Sequence, residues 1–469
     1  MTQAIRFDAE DRSNAVREQI ARAEPKAMRT FTPSQAVLAK SAGCFHWTPE
    51  GRRLYDYTSG VLVANLGHNP KRWQQRLFRH MGWSFEQLEA DGDDYFEATP
   101  LTAYNAVTPI ETLAVERLLS SVRQTEFGTH LDMICWAASG SEAVQKALWA
   151  CLNRDPARNL IIATRYGFHG KKGLANAVTG SEKDPERDPR VKFIGFPMHE
   201  IDDVSRYDER LDLTPYRNEF AALWKEHGTR LNCLITEPYL GGGGSYHPPN
   251  EYLQLLERFC REHDILFLLD EVQANFGRTG RMYAFEKYQI APDFVCLGKG
   301  LGNGVPVAAV AGRSDVLNLM KYGAASDTWS AAPIACASVV ATLEEFEEAD
   351  VLRHVGSLSQ ALFAGLARLK ETGLVAKVRG EGVVFGLECA AVGDLSAEAV
   401  ANAIVEACYL GEKGGDGIHL LGPLAGKVIR VSPPLTMTAQ ETEESLDLLN
   451  RIVSKLAERL EVAPASATA

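Results

Sequence analysis

From about Leu131 onward, short apolar runs alternate along the chain with stretches that repeat apolar residues at helical spacing. Runs of four or five apolar residues are typical of strands buried on both faces, and the stretches between them are typical of crossover helices. The pattern therefore predicts an α/β fold with a mostly parallel sheet covered by helices on both sides. The predicted strands are residues 132–136, 160–163, 233–236, 265–269, 294–297 and 307–310.

The first of these strands leads into a predicted helix that begins at Ser141, after the turn Ser139-Gly140. Apolar residues recur at helical spacing along it and form one buried stripe. The stripe consists of Ala143, Val144, Ala147, Leu148, Cys151 and Leu152.

After about residue 340 the pattern changes to longer amphipathic helices, with a short strand pair around residues 383–388 and 427–431. We therefore predict a second, smaller domain built from both ends of the chain. The predicted divisions are an N-terminal segment that joins the small domain (1–85), a large domain (86–340), a C-terminal small domain (341–461) and a disordered tail rich in Ala, Ser and Pro (462–469).

Composition and charge narrow the class of partner. The chain has 469 residues, 45% of them hydrophobic, and its net charge of -12 disfavours a nucleic-acid partner. Its nine cysteines form no C-x-x-C pair, and we interpret them as reduced thiols. The first twenty residues lack the apolar core of a signal peptide, and no apolar run could span a bilayer. We expect a cytoplasmic protein that acts on small molecules and has no membrane partner.

Two carboxylates, Asp270 and Glu271, follow the apolar run at 265–269. Ligands of open α/β sheets bind beyond the carboxyl ends of the strands. A protonated pyridine nitrogen would be a suitable partner for Asp270, because a nearby carboxylate favours the cationic ring. Taken alone, however, an aspartate at a strand end, such as Asp270, is more often a helix cap or a surface carboxylate than a catalytic group.

Lys299 lies between two glycines just after the predicted strand at 294–297. Glycines let the backbone approach a ligand closely, and a lysine held beside apolar or cationic groups can lose its proton and attack an aldehyde. A solvated loop lysine is the simpler interpretation of this residue by itself.

The turn Ser139-Gly140-Ser141 offers backbone N–H groups, two hydroxyls and the positive end of a helix dipole, which together suit a phosphate. An ordinary helix cap would look the same. The carboxylate, the lysine and this turn all fall at strand ends of one predicted sheet, in an order that one cofactor could bridge. This combination makes coincidence a poor explanation.

The segment 269–280, which reads LDEVQANFGRTG, resembles the signature of class III pyridoxal 5′-phosphate (PLP) aminotransferases. The resemblance runs from about residue 55 to residue 435 and implies fold type I, with a large PLP domain and a smaller α+β domain. The further matches, in family order, are Ser139-Gly140-Ser141-Glu142-Ala143, Phe168-His169-Gly170, Glu237-Pro238, Gly298-Lys299-Gly300, Arg379-Gly380-Glu381-Gly382 and Arg430-Val431-Ser432-Pro433-Pro434.

The resemblance implies that Lys299 carries PLP as an imine and moves the substrate proton, and that Asp270 pairs with the pyridinium. It further implies that Gln273 hydrogen-bonds the ring hydroxyl and that Phe168 stacks on the ring. It includes no metal among the site residues. The residues assigned to the cofactor are Ser139, Gly140, Ser141, Phe168, Glu237, Asp270, Gln273, Lys299 and Thr328.

The same resemblance assigns roles at the edge of the site. Thr328 matches a threonine that family members lend across a dimer interface to the cofactor phosphate, which implies a homodimer. Arg430 matches the arginine that binds a substrate carboxylate, with a structural ion pair as the alternative. Val61 and Leu62 belong to an apolar segment on the substrate side and favour a donor with an apolar body, unless they are simply core residues.

Three positions depart from the family pattern. Members that use ornithine or 4-aminobutyrate have a glutamate that masks the arginine, and this chain has Gly242 there. That difference puts both of these substrates in doubt. Asp327 replaces a small hydroxyl residue beside Thr328, and Ala332 replaces a common asparagine.

Our leading hypothesis is a ping-pong aminotransferase that moves an amino group from an amine or amino acid to a 2-oxo acid such as pyruvate or 2-oxoglutarate. An aminomutase, racemase or decarboxylase of the same family is the alternative, because these share the lysine and the aspartate. A PLP-binding regulator without turnover is disfavoured by the acidic charge and the intact lysine.

Overall fold

The computed structural model describes residues 4–90, 92, 94–184, 187–198, 203 and 211–462. Within these residues, no helix is both long and apolar enough to cross a membrane. The strands are β1 (Lys40–Ala42), β2 (Phe45–Trp47), β3 (Arg53–Asp56), β4 (Met133–Ala137), β5 (Leu160–Thr164), β6 (Val191–Ile194), β7 (Leu231–Thr236), β8 (Leu266–Asp270), β9 (Phe294–Leu297), β10 (Ala308–Gly312), β11 (Val375–Glu381), β12 (Val384–Cys389), β13 (Gly417–His419) and β14 (Val428–Val431).

The helices vary from single turns to 21 residues. They are α1 (Asp11–Ala23), α2 (Ser59–Leu62), α3 (Lys71–Met81), α4 (Phe85–Glu89), α5 (Pro109–Val122), α6 (Gly140–Arg154), α7 (Gly173–Ala177), α8 (Thr214–His227), α9 (Asn250–Glu262), α10 (Ala284–Tyr288), α11 (Ser314–Leu317), α12 (Pro333–Glu348), α13 (Val351–Ala367), α14 (Ala397–Leu410) and α15 (Ala439–Arg459).

A seven-stranded sheet with the order β4-β10-β9-β8-β7-β5-β6 forms the scaffold of the molecule. β6, β5, β7, β8 and β9 run parallel, and β10 is antiparallel to both of its neighbours. The predicted mostly parallel sheet is confirmed, with strand bounds within about two residues of those predicted. β6 was not predicted, because Lys192 interrupts its short apolar run.

Both faces of this sheet are buried. Ile161, Cys233 and Leu268 pack on one side with α6, whereas Ile162 and Leu234 belong to the larger core on the other side. Burial of one such side chain stabilises the fold by about 1.5–3 kcal/mol. Because the strands are packed on both faces, their polar ends are held rigidly at one edge of the sheet.

The two termini meet in the smaller sheets. β13 pairs in parallel with β3 in the sheet β1-β2-β3-β13, so the N-terminal segment and the C-terminal region share one sheet. The predicted strand pair is confirmed as β12 and β14, with Phe385 opposite Val431. β11 adds a third strand that was not predicted.

The predicted domain boundary at residue 340 falls inside α12. This helix belongs with the large unit and also holds the N-terminal segment, because Trp73 Nε1 of α3 donates to Thr342 Oγ1 at 2.9 Å. We therefore move the proposed boundary to the turn at 349–350, which keeps the helix whole. Of the predicted tail, residues 463–469 lie outside the described residues.

Candidate active site

A cavity of about 350 Å³ lies at the carboxyl ends of the central strands. Asp270 is the last residue of β8, Glu237 follows β7, and Lys299 follows β9 after one glycine. The structure thus brings together eight of the nine residues that the sequence assigns to the cofactor. The predicted residues that line the cavity are Ser139, Gly140, Ser141, Phe168, Glu237, Asp270, Gln273 and Lys299.

Asp270 is held in one orientation by two hydrogen bonds. Its Oδ2 lies 2.8 Å from Nδ1 of His169, and its Oδ1 accepts from the backbone N–H of Val272 at 3.1 Å. Both side chains are buried. His169 was not predicted as a site residue, although its place beside Phe168 in the matched motif was the available signal.

The neighbouring carboxylate, Glu271, points away from the cavity. Its two oxygens accept from the backbone N–H groups of Ala284 and Phe285, both at 2.7 Å, where α10 begins. Burial raises the pKa of Glu271 to about 8. Of the two carboxylates at this strand end, one therefore belongs to the site and the other anchors a helix.

The surroundings of Lys299 lower the pKa of its side chain and so favour the neutral amine. Burial, helped by the charge of Arg430 and opposed by Asp270 and Glu237, lowers the pKa of Lys299 from 10.5 to about 8. Its backbone has φ 47°, in the left-handed region that non-glycine residues rarely adopt. A lysine with this pKa carries a useful fraction of neutral, nucleophilic amine near neutral pH.

The turn before α6 forms a cradle at the other end of the cavity. Ser139 caps the helix, its Oγ accepting from the N–H of Glu142 at 3.4 Å. Gly170 lies against this turn with φ 138°, and a Cβ there would lie 2.3 Å from Ser141 Oγ. The positive end of α6 and the close backbone approach together suit an anion such as phosphate.

A chain of polar contacts leads from the cavity into the core. Arg430 Nη1 donates to Gln273 Oε1 at 2.9 Å, and Gln273 Nε2 donates to Glu237 Oε1 at 3.2 Å. Glu237 also accepts from the N–H of Phe168 at 2.8 Å. Burial raises the pKa of Glu237 to about 7 and lowers that of Arg430. The glutamate and the arginine are thus linked through one glutamine.

Comparison with known proteins decides the family. Residues 27–453 match the model of the family described as aminotransferase class-III. The chain belongs to the class III aminotransferases. The predicted enzyme class and the predicted cofactor, PLP, are thereby confirmed.

This class III aminotransferase is 27% identical to an acetylornithine aminotransferase of Caldanaerobacter subterraneus over 92% of its own length and 97% of the relative's. It is also 27% identical to a leucine/methionine racemase of Thermococcus litoralis, over 95% and 97%. An (S)-enantioselective omega-transaminase structure from Thermomicrobium roseum has a TM-score of 0.75 at 22% identity and covers 94% of each chain. That likeness confirms the predicted fold type.

The residues of the cavity fit PLP. A buried carboxylate suits the ring nitrogen, a lysine of lowered pKa suits the aldehyde, and the first turn of α6 suits the phosphate. His169 Nε2 is buried without a hydrogen-bond partner in the described part of the chain, so the hydrogen bond of this ring is the one between Nδ1 and Asp270. The three functions face one cavity, as one cofactor requires.

Four predicted residues of the aminotransferase do not line the cavity: Arg430, Val61, Leu62 and Thr328. Residues 59–62 all have positive φ, so the chain makes a left-handed turn here. This turn buries Leu62 and leaves Val61 38% exposed, while the next residue, Val63, lines the cavity. Thr328 is exposed in a turn before α12.

The structure accounts for two departures of this aminotransferase from its family. A Cβ at Gly242 would lie 3.0 Å from Phe168 Cβ, so a larger residue would press on Phe168. Asp327 pairs with the buried ammonium group of Lys146 at 2.6 Å, and that ammonium group also donates to the Trp136 carbonyl at 2.7 Å. The aspartate therefore supplies the counter-charge for a buried lysine.

Proposed function

We propose that the enzyme transfers an amino group from an amine or amino acid to pyruvate or 2-oxoglutarate by a ping-pong mechanism. The observation that carries this proposal is the convergence of Lys299, Asp270 and the first turn of α6 on one cavity. Bound PLP would supply an aldehyde and an electron-withdrawing ring.

The residues of the cavity would then act as follows. Lys299 Nζ would hold the cofactor through its aldehyde and would carry a proton at the substrate carbon. Asp270, oriented by His169, keeps a proton on the ring nitrogen. Phe168 covers a face of the ring, and Gln273 hydrogen-bonds its hydroxyl. Gly140 and Ser141 hold the phosphate, with Ser139 as the helix cap.

Arg430 is our candidate for binding a substrate carboxylate. Its guanidinium is buried, and its Nε has no hydrogen-bond partner among the described residues, so it has donors to offer. Gln273 accepts a hydrogen bond from Nη1. With no carboxylate at Gly242, Arg430 stays available in both half-reactions. We further propose that the segment carrying Val61 and Leu62 favours a donor with an apolar body.

We also propose a homodimer in which Thr328 reaches the partner's phosphate site. Its support is the exposure of large apolar side chains near Thr328 and along the segment before α5. Mixing Thr328→Ala chains with Lys299→Ala chains tests this. If Thr328 acts across the interface, one site of a mixed dimer keeps both residues and the other lacks both; if it acts within its own chain, each site lacks one residue. The exposed apolar side chains that support the dimer are Tyr95, Phe96, Leu101, Tyr104, Val107, Tyr322 and Trp329.

We also place the enzyme in the cytoplasm, in keeping with nine free cysteines among the described residues.

The deciding experiment offers a panel of amines and amino acids with pyruvate or 2-oxoglutarate and follows nitrogen transfer by product analysis. We expect a new amino acid from the acceptor with the wild type and none with Lys299→Ala. A racemase is the alternative function to test, because the chain is as similar in sequence to the leucine/methionine racemase as to the acetylornithine aminotransferase, at 27% identity each. Inversion of an amino acid without consumption of either acceptor would refute the transfer proposal and support a racemase.

A further inference from the structure

A second cluster of ionisable side chains lies outside the cavity, in the sheet β1-β2-β3-β13. His46 belongs to β2, Asp56 ends β3, and His68 follows in the loop before α3. One ligand atom from each of the three lies within 4.8 Å of the others. A third histidine, His419 of β13, lies opposite Asp56 in the strand register, and its ring is 5.4 Å from that of His46.

The two histidines direct the same ring nitrogen at the same oxygen. His68 Nε2 lies 2.8 Å from Asp56 Oδ2, and His46 Nε2 lies 3.5 Å from it. His46 is 2% exposed, and its Nε2 has no hydrogen-bond partner within the described chain. An unsatisfied buried nitrogen is costly, and here it faces a carboxylate oxygen and a second imidazole.

The outer contacts of the cluster already orient its ligands. Nδ1 of His46 lies 2.6 Å from Ser41 Oγ, which fixes the ring. Asp56 Oδ1 accepts from the N–H and the hydroxyl of Thr58, both at 2.7 Å, and from the N–H of Ser59 at 3.2 Å. Oδ2 is therefore left to face the histidines. Metal sites in proteins hold their first ligands in this way.

We propose that His46, Asp56 and His68 bind a divalent transition metal ion of the zinc class. Two imidazoles and one carboxylate are a zinc ligand set, whereas magnesium and calcium prefer oxygen ligands alone. At zinc–ligand distances of about 2.0–2.1 Å, ligand atoms of a tetrahedral site lie roughly 3.4 Å apart. The His46 contact already has that length, and the His68 contact must lengthen by roughly half an ångström.

The proposed ion has a route of entry and a structural consequence. His68 is the partly exposed member, with 18% of its side chain accessible, so water can occupy the fourth position on that side. Asp56 also anchors the start of the left-handed turn at residues 59–62, whose next residue lines the cavity. The ion would therefore tie β2, β3 and the His68 loop together and stiffen one wall of the active site.

The test uses the PLP-loaded enzyme, stripped of metal by a chelator and then exposed to Zn²⁺ alone. We expect one ion per chain by elemental analysis after dialysis, with a higher unfolding temperature. Crystals soaked in Zn²⁺ should show an anomalous peak between His46 Nε2, Asp56 Oδ2 and His68 Nε2. Wild-type protein suffices for this measurement, so misfolding of a variant does not affect it.

Variants give the second arm of the test. His46→Gln and His68→Gln should each abolish stoichiometric binding, and Ser41→Ala should weaken it by roughly 10- to 100-fold. His80→Gln is the matched control, because it removes another histidine–carboxylate contact, 3.0 Å from Glu344, outside the cluster. No bound ion in the wild type, a peak elsewhere, or equal binding by His46→Gln would each overturn the proposal.

Discussion

The rate at which the apoenzyme attaches PLP should report the pKa of Lys299. Only the neutral amine attacks an aldehyde, so covalent attachment should be slow at pH 6, rise through a midpoint near pH 8 and level off above pH 9. The sign follows from burial, which disfavours the ammonium form and so lowers the pH at which the proton is lost.

The size of the effect can be worked out from this pKa. At pH 7, a lysine of pKa about 8 is neutral in roughly 9% of molecules, whereas a lysine of pKa 10.5 is neutral in roughly 0.03%. Burial therefore raises the concentration of reactive amine about 300-fold at pH 7. Near pH 10 the advantage shrinks to about 4-fold, because both lysines then lose protons.

The assay is stopped-flow absorbance of apoenzyme mixed with PLP between pH 6 and pH 10, with Lys299→Ala as the control for non-covalent binding. Two variants should shift the midpoint in opposite directions. Arg430→Gln removes a positive charge and should raise it, and Glu237→Gln removes a negative charge and should lower it. A wild-type rate that still rises tenfold between pH 9 and pH 10 would refute the buried-lysine argument. Equal midpoints in both variants would refute the assignment of charges.

Three further predictions concern single residues. His169→Ala should weaken PLP affinity by roughly 10- to 100-fold, because it removes a hydrogen bond to a buried carboxylate; equilibrium dialysis measures the loss, and His169→Asn should restore part of it. Gly170→Ala should weaken binding of PLP but not of pyridoxal, which lacks the phosphate, since the added Cβ would press on Ser141 Oγ; equal weakening of both would contradict this. Arg379→Met should lower the free energy of unfolding in urea by about 1.5–3 kcal/mol, because it removes the buried 2.7 Å hydrogen bonds to Glu388 and to the Gly244 carbonyl while Lys427 stays paired with Glu388.

The strand-end part of the site could be predicted from the sequence because its signals are local. An apolar run that stops at Asp270, and another that stops before Gly298-Lys299, place both side chains at one edge of a parallel sheet without any knowledge of long-range contacts. The turn at Ser139 was predictable for the same reason. The domain boundary at residue 340 stays a prediction, and α12 runs unbroken across that residue.

Other features depend on pairings between distant segments, which the sequence does not reveal. Nothing in the spacing of His46, Asp56 and His68 resembles a metal motif, and only strand pairing brings these residues together. Similarly, the departure at Asp327 had no explanation until the structure placed Lys146 beside it, 181 positions earlier in the chain. The left-handed turn after Thr58 also escaped prediction, since Val61 and Leu62 disfavour such a backbone.

The proposed role of Arg430 would connect substrate recognition with the chemistry of Lys299. Its positive charge helps to lower the pKa of the lysine, and its direct hydrogen-bond partner, Gln273, is neutral, with Glu237 as the next group along the chain of polar contacts. A substrate carboxylate bound to Arg430 would offset that charge and make Lys299 a stronger base in the complex. A glutamate at position 242 could supply a permanent counter-charge, but Gly242 supplies none. If Arg430 binds the substrate carboxylate as we propose, the basicity of Lys299 would depend on whether the bound substrate carries a carboxylate, and an amine without one and a 2-oxo acid would meet lysines of different strength.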